Sequence, residues 1–332
     1  MKFVSFDQST FPTTRFGVVL DDGRIVDVES ACTTMLAQQM PVDAARERAR
    51  MLAPHDALAF ISRGDEGVAA AQQVIGFLSE RHRDGSPVQG LNGEQIVFDA
   101  SDVSLRAPVR RPRKFIAAGK NFRDHMAEMS GTIPIPRRPV AFAQMATTII
   151  GPDATIPYSE ETKTVDYEVE VAVVIGKPAL RITADTALDH VFGYTIFNDI
   201  SARDVYREEG KTGIPLLGKN LPGFAPLGPV LCTRDEIANL PEVRLELRVN
   251  GETRQNATLA SMIFDIPEVI AYWSQIGLEP GDILTTGTPS GVAAGRKPGE
   301  TPWWLKPGDV VEAEVSGIGV LRNTVGQPSA HP

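Results

Sequence analysis

The stretch VDYEVEVAVVIG, residues 165–176, decides how the rest of the chain is read. Val171 to Ile175 is an unbroken apolar run rich in β-branched residues, the pattern of a strand buried on both faces. Glu168 and Glu170 stand two apart, so on a strand they leave the same face, with Cα atoms about 6.5–7 Å apart. Two like charges at the mouth of a buried strand repel each other and resist desolvation. One remedy is a divalent cation between them, and hard oxygen ligands select Mg²⁺, Mn²⁺ or Ca²⁺ over zinc. The other reading, a solvated pair on an edge strand, stays open from this stretch alone.

Downstream, GYTIFND (193–199) reads as a short strand ending in Asn198-Asp199. The Ser-x-x-Asp pattern at Ser201 predicts a helical turn opening there. Asp199 thus stands at a strand-to-helix junction, as a third carboxylate for a cation or as a helix cap. Upstream, AAGKNFRDHMAEMSG predicts a short helix capped by Asn121, with Asp124 as the reciprocal partner. His125 and Glu128 would be neighbours on it. A Glu that orients an imidazole is the arrangement a general base needs, and it also occurs as a plain surface pair. Lys219 is a lone cation in the Gly/Pro-rich LLGKNLPGFAPLGP, where a solvated loop lysine is the simplest role. TTGTPSGVAAG (285–295) offers backbone N–H groups and hydroxyls to anions. It is neither a Walker A loop nor a dinucleotide fingerprint, and no GxSxG is present, so nucleotide binding and serine nucleophile chemistry lack support.

The 332 residues suit two domains. The 29 Gly and 25 Pro favour short strands and tight turns over a helical bundle. With 33 Lys and Arg against 42 Asp and Glu, the net charge of −9 argues against nucleic acid or anionic membrane as a partner. MKFVSFDQST holds no secretory core and no apolar run reaches spanning length, so a soluble cytoplasmic protein is expected. Cys32 and Cys232 belong to no cluster and read as buried thiols. Residues 1–110 read as a small α+β domain, with a hairpin at DDGR, a helix from Asp65 to His82 and a loop at RDGSPVQGLNGEQ. Residues 111–332 read as mainly β. LEPGDIL and LKPGDVV repeat one turn-plus-strand phrase, which points to a rolled, barrel-like antiparallel sheet closed by PGD turns, with a frayed tail at GQPSAHP.

Five motifs, GKNFRDHMAEM, VDYEVEVAVVIG, GYTIFNDISARD, GKNLPGFAPLGP and GDILTTGTPSGV, follow one another over residues 114–325. Together they resemble the fumarylacetoacetate hydrolase family, in its bacterial members with a small amino-terminal domain. The resemblance implies a mixed β-roll, usually in a homodimer, whose mouth binds Mg²⁺ or Mn²⁺, or Ca²⁺ in some members. It implies Glu168, Glu170 and Asp199 as metal ligands, and His125 with Glu128 as the dyad that activates water. That dyad would lie on a lid segment, so His125 can sit far from an empty site. Lys219 would bind substrate oxygen, and Thr288 would hold a substrate carboxylate through its hydroxyl and the adjacent amide. Gln144 would line the substrate site where many relatives carry lysine, and NLPGF after Lys219 departs from their Ser-Phe-Asp-Thr. The implied substrate is a small oxo acid, and the implied reaction is hydrolytic C–C cleavage of a 2,4-diketo acid such as an acylpyruvate. Oxaloacetate-type decarboxylation and hydroxydienedioate isomerisation are the alternatives on the same site. A catalytically silent ligand-binding or scaffold protein is the alternative of another class.

Overall fold

In the computed structural model, which describes residues 1–83, 88–129, 135–158, 162–213, 215–297 and 299–328, the apolar run forms the strand Val169–Ile175. All seven of its side chains are buried. It runs antiparallel to Val191–Asn198 on one side and to Ile283–Thr285 on the other. Its odd-numbered side chains, Val171, Val173 and Ile175, enter a core shared with the carboxy-terminal strands. The even-numbered Ala172 and Val174 enter a second core, built with the amino-terminal helices. A continuous apolar run is what a strand clamped between two cores requires.

This strand is central in a twelve-stranded sheet. Outward through Val191–Asn198 come Ala225–Thr233, Lys2–Asp7, Arg15–Val19, Ile25–Asp27 and Val97–Phe98; outward through Ile283–Thr285 come Phe115–Gly119 and Val140–Ala143. The amino-terminal strands therefore continue the sheet that carries the central strand, through the antiparallel pairing of Lys2 with Cys232. A five-stranded sheet holds Arg244–Val249, Glu252–Thr258, Val310–Val315, Gly319–Pro328 and Thr155–Tyr158. Both sheets mix parallel and antiparallel pairs.

The structure is thus mainly β, but no sheet closes into a barrel among the described residues. The two PGD turns explain the difference. Each is the same device, with Pro second, a positive-φ glycine third (Gly281 at +86°, Gly308 at +90°) and an Asp carboxylate taking the first residue's N–H at 2.8 Å. They feed different sheets, since Ile283–Thr285 belongs to the large one and Val310–Val315 to the small one. The turn geometry follows from the sequence; convergence on one closed sheet does not.

The helix expected from Asp65 to His82 spans Asp65–Arg83. Its buried face runs through Gly67, Ala70, Ala71, Val74 and Leu78, while Val68, Ile75 and Phe77 are only partly covered. Small residues allow the helix close approach, and the larger ones fill its flanks. Part of the expected loop (84–87) and of the frayed tail (329–332) lies outside the described residues. Cys32 and Cys232 are free and buried, and burial pushes each thiol up to about 11. Among the described residues no helix is long and apolar enough to cross a membrane.

Candidate active site

Strand register assembles the carboxylates. Val169 pairs with Asn198 and Glu170 with Phe197, so the next step sets Asp199 opposite Glu168. There the Asp199 N–H donates to the Glu168 carbonyl at 2.9 Å, and Asn198 Oδ1 accepts the Glu168 N–H at 3.0 Å. Glu170 projects two residues on, its Oε2 accepting from the Gly287 N–H at 3.1 Å. One carboxylate oxygen from each of Glu168, Glu170 and Asp199 lies within 4.8 Å of the others, and all three residues are buried. A cation with bonds of 2.0–2.6 Å spans ligand atoms up to about 5 Å apart, so this spacing admits one ion.

Charge decides what the cluster lacks. Four buried carboxylates, Asp166, Glu168, Glu170 and Asp199, face two buried cations, Arg203 and Lys219. Arg203 bridges Asp166 (Nε to Oδ2, 2.7 Å) and Glu168. Lys219 Nζ reaches Glu168 Oε2 and Asp199 Oδ2, each at 2.6 Å. Two negative charges are left over. Burial would raise the Glu168 carboxyl, but Arg203 and then Lys219 overcome this and hold it far below the ordinary range. Glu170 has no such partner, so burial and the charges of Asp199 and Glu168 hold it well above its usual value. Burial also pushes Asp199 up to about 7 despite Lys219, with Glu168 adding to the rise. Asp199 Oδ1 is buried without a hydrogen-bond partner among the described residues. An unpartnered carboxylate oxygen beside two surplus negative charges is the environment a hard divalent cation fits.

Glu168, Glu170, Asp199, Arg203 and Lys219 line a cavity of about 590 Å³ together with His125 and Thr288. His125 sits on the helix Arg123–Met129, and its Nδ1 lies 3.0 Å from Glu128 Oε1. It therefore faces the carboxylates rather than lying away from them. Two ties hold this helix on the glycine loop. Ser290 Oγ donates to Asp124 at 2.7 Å, and the Gly291 N–H donates to Glu128 Oε2 at 2.9 Å. Gly291 has φ +104°, and a Cβ there would come within 2.0 Å of the Arg254 carbonyl oxygen, so only glycine fits.

Other side chains are committed differently from expectation. Asn121 does not cap the helix. It is a buried tie, its Nδ2 donating to the Thr286 and Phe264 carbonyls (2.8 and 3.0 Å) and its Oδ1 accepting the Phe264 N–H at 2.9 Å. Ser201 opens no helical turn; its hydroxyl donates to the Asp199 carbonyl and the helix starts at Arg203. The Thr288 hydroxyl donates to the Val169 carbonyl at 3.0 Å and accepts from Gln255 Nε2 at 2.8 Å. Gln144 lies outside the lining: its Nε2 donates to Thr148 Oγ1 and to the Lys219 carbonyl, and it borders a neighbouring cavity.

Residues 114–326 match the family described as Fumarylacetoacetate (FAA) hydrolase C-terminal. The chain belongs to the fumarylacetoacetate hydrolase family. Over 313 residues it is 37% identical to the oxaloacetate tautomerase YisK of Bacillus subtilis, covering 93% of this chain and 95% of that one. It is 35% identical to the mitochondrial oxaloacetate tautomerase fahd2 of Xenopus laevis, over 98% of this chain and 90% of the relative. Among solved structures it is similar to the fumarylacetoacetate hydrolase of Exiguobacterium antarcticum, with TM-score 0.72, 32% identity and coverage of 98% and 99%. It is also similar to the 5-carboxymethyl-2-hydroxymuconate delta-isomerase of Mycobacterium smegmatis, with TM-score 0.66, 27% identity and coverage of 98% and 99%.

Within this family member, two buried partners of the cluster, Asp166 and Arg203, escape a reading of the sequence although both lie in quoted motifs. Asp166 is fully buried and accepts N–H bonds from Tyr167, Ala293 and Ala294 besides its pairing with Arg203. The available signal is the continued spacing of two, Asp166, Glu168, Glu170.

A cation in this cluster must compete with protons. Asp199, raised from 3.8 to about 7, resists ionising in the fold, so the metal-free protein takes on a penalty as pH rises between those values. Metal needs the ionised form and removes the penalty. The rise in melting temperature on adding a fixed Mn²⁺ concentration is therefore expected to be small near about pH 5 and to grow as pH rises through about 7. Thermal melts across that range check it; a shift that shrinks as pH rises would contradict it.

Proposed function

We propose that this chain is a divalent-metal-dependent tautomerase of an oxaloacetate-type 2-oxo dicarboxylic acid. The reaction moves a proton between the carbon beside the 2-oxo group and the 2-oxo oxygen. The observation that carries the reading is the surplus of buried negative charge at Glu168, Glu170 and Asp199 beside an oriented His125. The two relatives named oxaloacetate tautomerases, matched over more than nine tenths of this chain, support it over the hydrolytic reading.

Glu168, Glu170 and Asp199 would hold the cation, which when bound would supply Lewis acidity toward the oxygens of the oxo acid. Glu128 takes the Nδ1 proton of His125 in a hydrogen bond, leaving Nε2 as the base toward the cavity. Nε2 accepts the proton from the substrate carbon, and the C–H electrons form the C=C bond as the 2-oxo oxygen gains charge. The Lys219 ammonium, held among these carboxylates, would meet that charge. Return of the proton to oxygen completes the enol. Because the Thr288 hydroxyl already has two partners, its contribution to the substrate carboxylate falls to the backbone amide.

Hydrolysis would demand a water aimed at a distal carbonyl in addition to this proton shuttle. Product analysis separates the reactions. With Mn²⁺ and oxaloacetate, faster keto–enol equilibration with the acid conserved is the expected result. Release of CO₂ and pyruvate would identify a decarboxylase, and cleavage of an acylpyruvate into two acids a hydrolase. Absence of any Mn²⁺-dependent acceleration would overturn the reading.

A further inference from the structure

We infer that Lys120 is the specificity residue that receives the second carboxylate of the substrate, an inference that rests on the reading of the site as one for a 2-oxo diacid. Among the described residues, three lysine or arginine side chains line the cavity: Lys120, Arg203 and Lys219. Arg203 and Lys219 are buried and paired with Asp166, Glu168 and Asp199, and Lys219 is already assigned to the 2-oxo end of the substrate. Lys120 is exposed, and its side chain makes no ion pair or hydrogen bond among the described residues. Much of the remaining lining is apolar, Met126, Met129, Val140, Phe142 and Leu216 among it, and offers an anion nothing. A monoacid could be held wholly at the carboxylate cluster and glycine loop. A diacid brings a second charge into an apolar-walled cavity, and Lys120 is the cation there without a partner among the described residues.

The backbone shows that Lys120 is placed rather than merely present. Its φ is +56°, a left-handed conformation that lysine adopts at a cost. The cost is imposed from both sides. Lys120 follows the strand Phe115–Gly119, locked parallel to Ile283–Thr285, and precedes Asn121, whose side chain is clamped by Phe264 and Thr286. The same clamps place Lys120 beside the glycine loop and at the base of the His125 helix.

The test compares oxaloacetate with 2-oxobutyrate, the same skeleton with methyl in place of the distal carboxylate. Both are titrated calorimetrically into the Mn²⁺-loaded full chain, and C3 proton exchange is followed by NMR. Lys120→Met should weaken Kd and raise KM for oxaloacetate about tenfold, the discount for an exposed pair included, while 2-oxobutyrate stays within about twofold. The kcat should change little, and Lys120→Arg should keep the preference for the diacid. Equal weakening of both acids, weakening of neither, or no diacid preference in the unmodified protein overturns the inference. Binding and turnover are read separately. If the unmodified protein prefers the diacid and Lys120→Met loses that preference without any tautomerisation being seen, the subsite stands and the tautomerase reading falls. If the unmodified protein tautomerises oxaloacetate and Lys120→Met keeps its preference, the subsite falls alone.

Discussion

A Glu170→Gln variant is expected to lose turnover by roughly 10³-fold or more, yet to be at least as stable as the unmodified protein when metal is absent. The two effects point in opposite directions because Glu170 is the carboxylate of the trio with no ion-pair partner among the described residues. Its polar contacts are the Gly287 N–H and the Thr285 side chain, and burial with two neighbouring carboxylates holds it well above its ordinary value. Its ionised form is thus penalised in the fold, a penalty absent at low pH that grows as pH climbs from the ordinary carboxylate range toward the raised value. An amide of the same shape keeps an oxygen for Gly287 and removes the charge. The metal-free variant should therefore gain relative stability at neutral and higher pH and show no gain near about pH 4. It should also lose most of the Mn²⁺-induced rise in melting temperature. If Glu170→Gln kept both turnover and that rise, the carboxylate trio would not be a cation site. If it destabilised the metal-free protein at high pH, the charge balance assigned to the cluster would be wrong.

What can be read from the sequence is local, and what cannot is long-range. Periodicity and apolarity in 165–176 are enough to mark a strand buried on both faces and a carboxylate pair at its mouth, and Val169–Ile175 shows why. The meeting of Asp199 with Glu168 depends on the pairing of Val169 with Asn198, a register that no local pattern encodes. Two cap assignments fail for one shared reason. Asn121 and Ser201 each sit in a sequence that can start a helix, but other partners take their side chains first: the distant Phe264 and Thr286 carbonyls for Asn121, the Asp199 carbonyl two residues back for Ser201. The barrel fails because a PGD turn specifies its own geometry and the strand that follows, not the sheet which that strand joins. The family resemblance points to a ligand set, whereas the unequal electrostatics within it come only with the positions of Arg203 and Lys219. Lys219 looks like a solvated loop lysine in isolation; it is buried, and the two carboxylates outweigh burial and keep it charged.

His125→Ala is expected to lower kcat by about 10² to 10⁴-fold with Mn²⁺ affinity within a few fold of the unmodified protein. The separation follows from geometry. His125 lines the cavity but is not one of the carboxylate trio, and its side chain is partnered by Glu128. Glu128→Gln is the informative companion. Its carboxylate does two jobs, orienting His125 and accepting the Gly291 N–H through both oxygens at 2.9 and 3.1 Å. Glutamine retains one oxygen for Gly291 but presents an amide or a neutral oxygen to the imidazole, so the helix should stay docked while the ring loses its charged partner. Turnover is expected to fall less than in His125→Ala, about 10 to 10²-fold. If His125→Ala kept turnover within about threefold, another group would have to carry the proton and the dyad would not be the base.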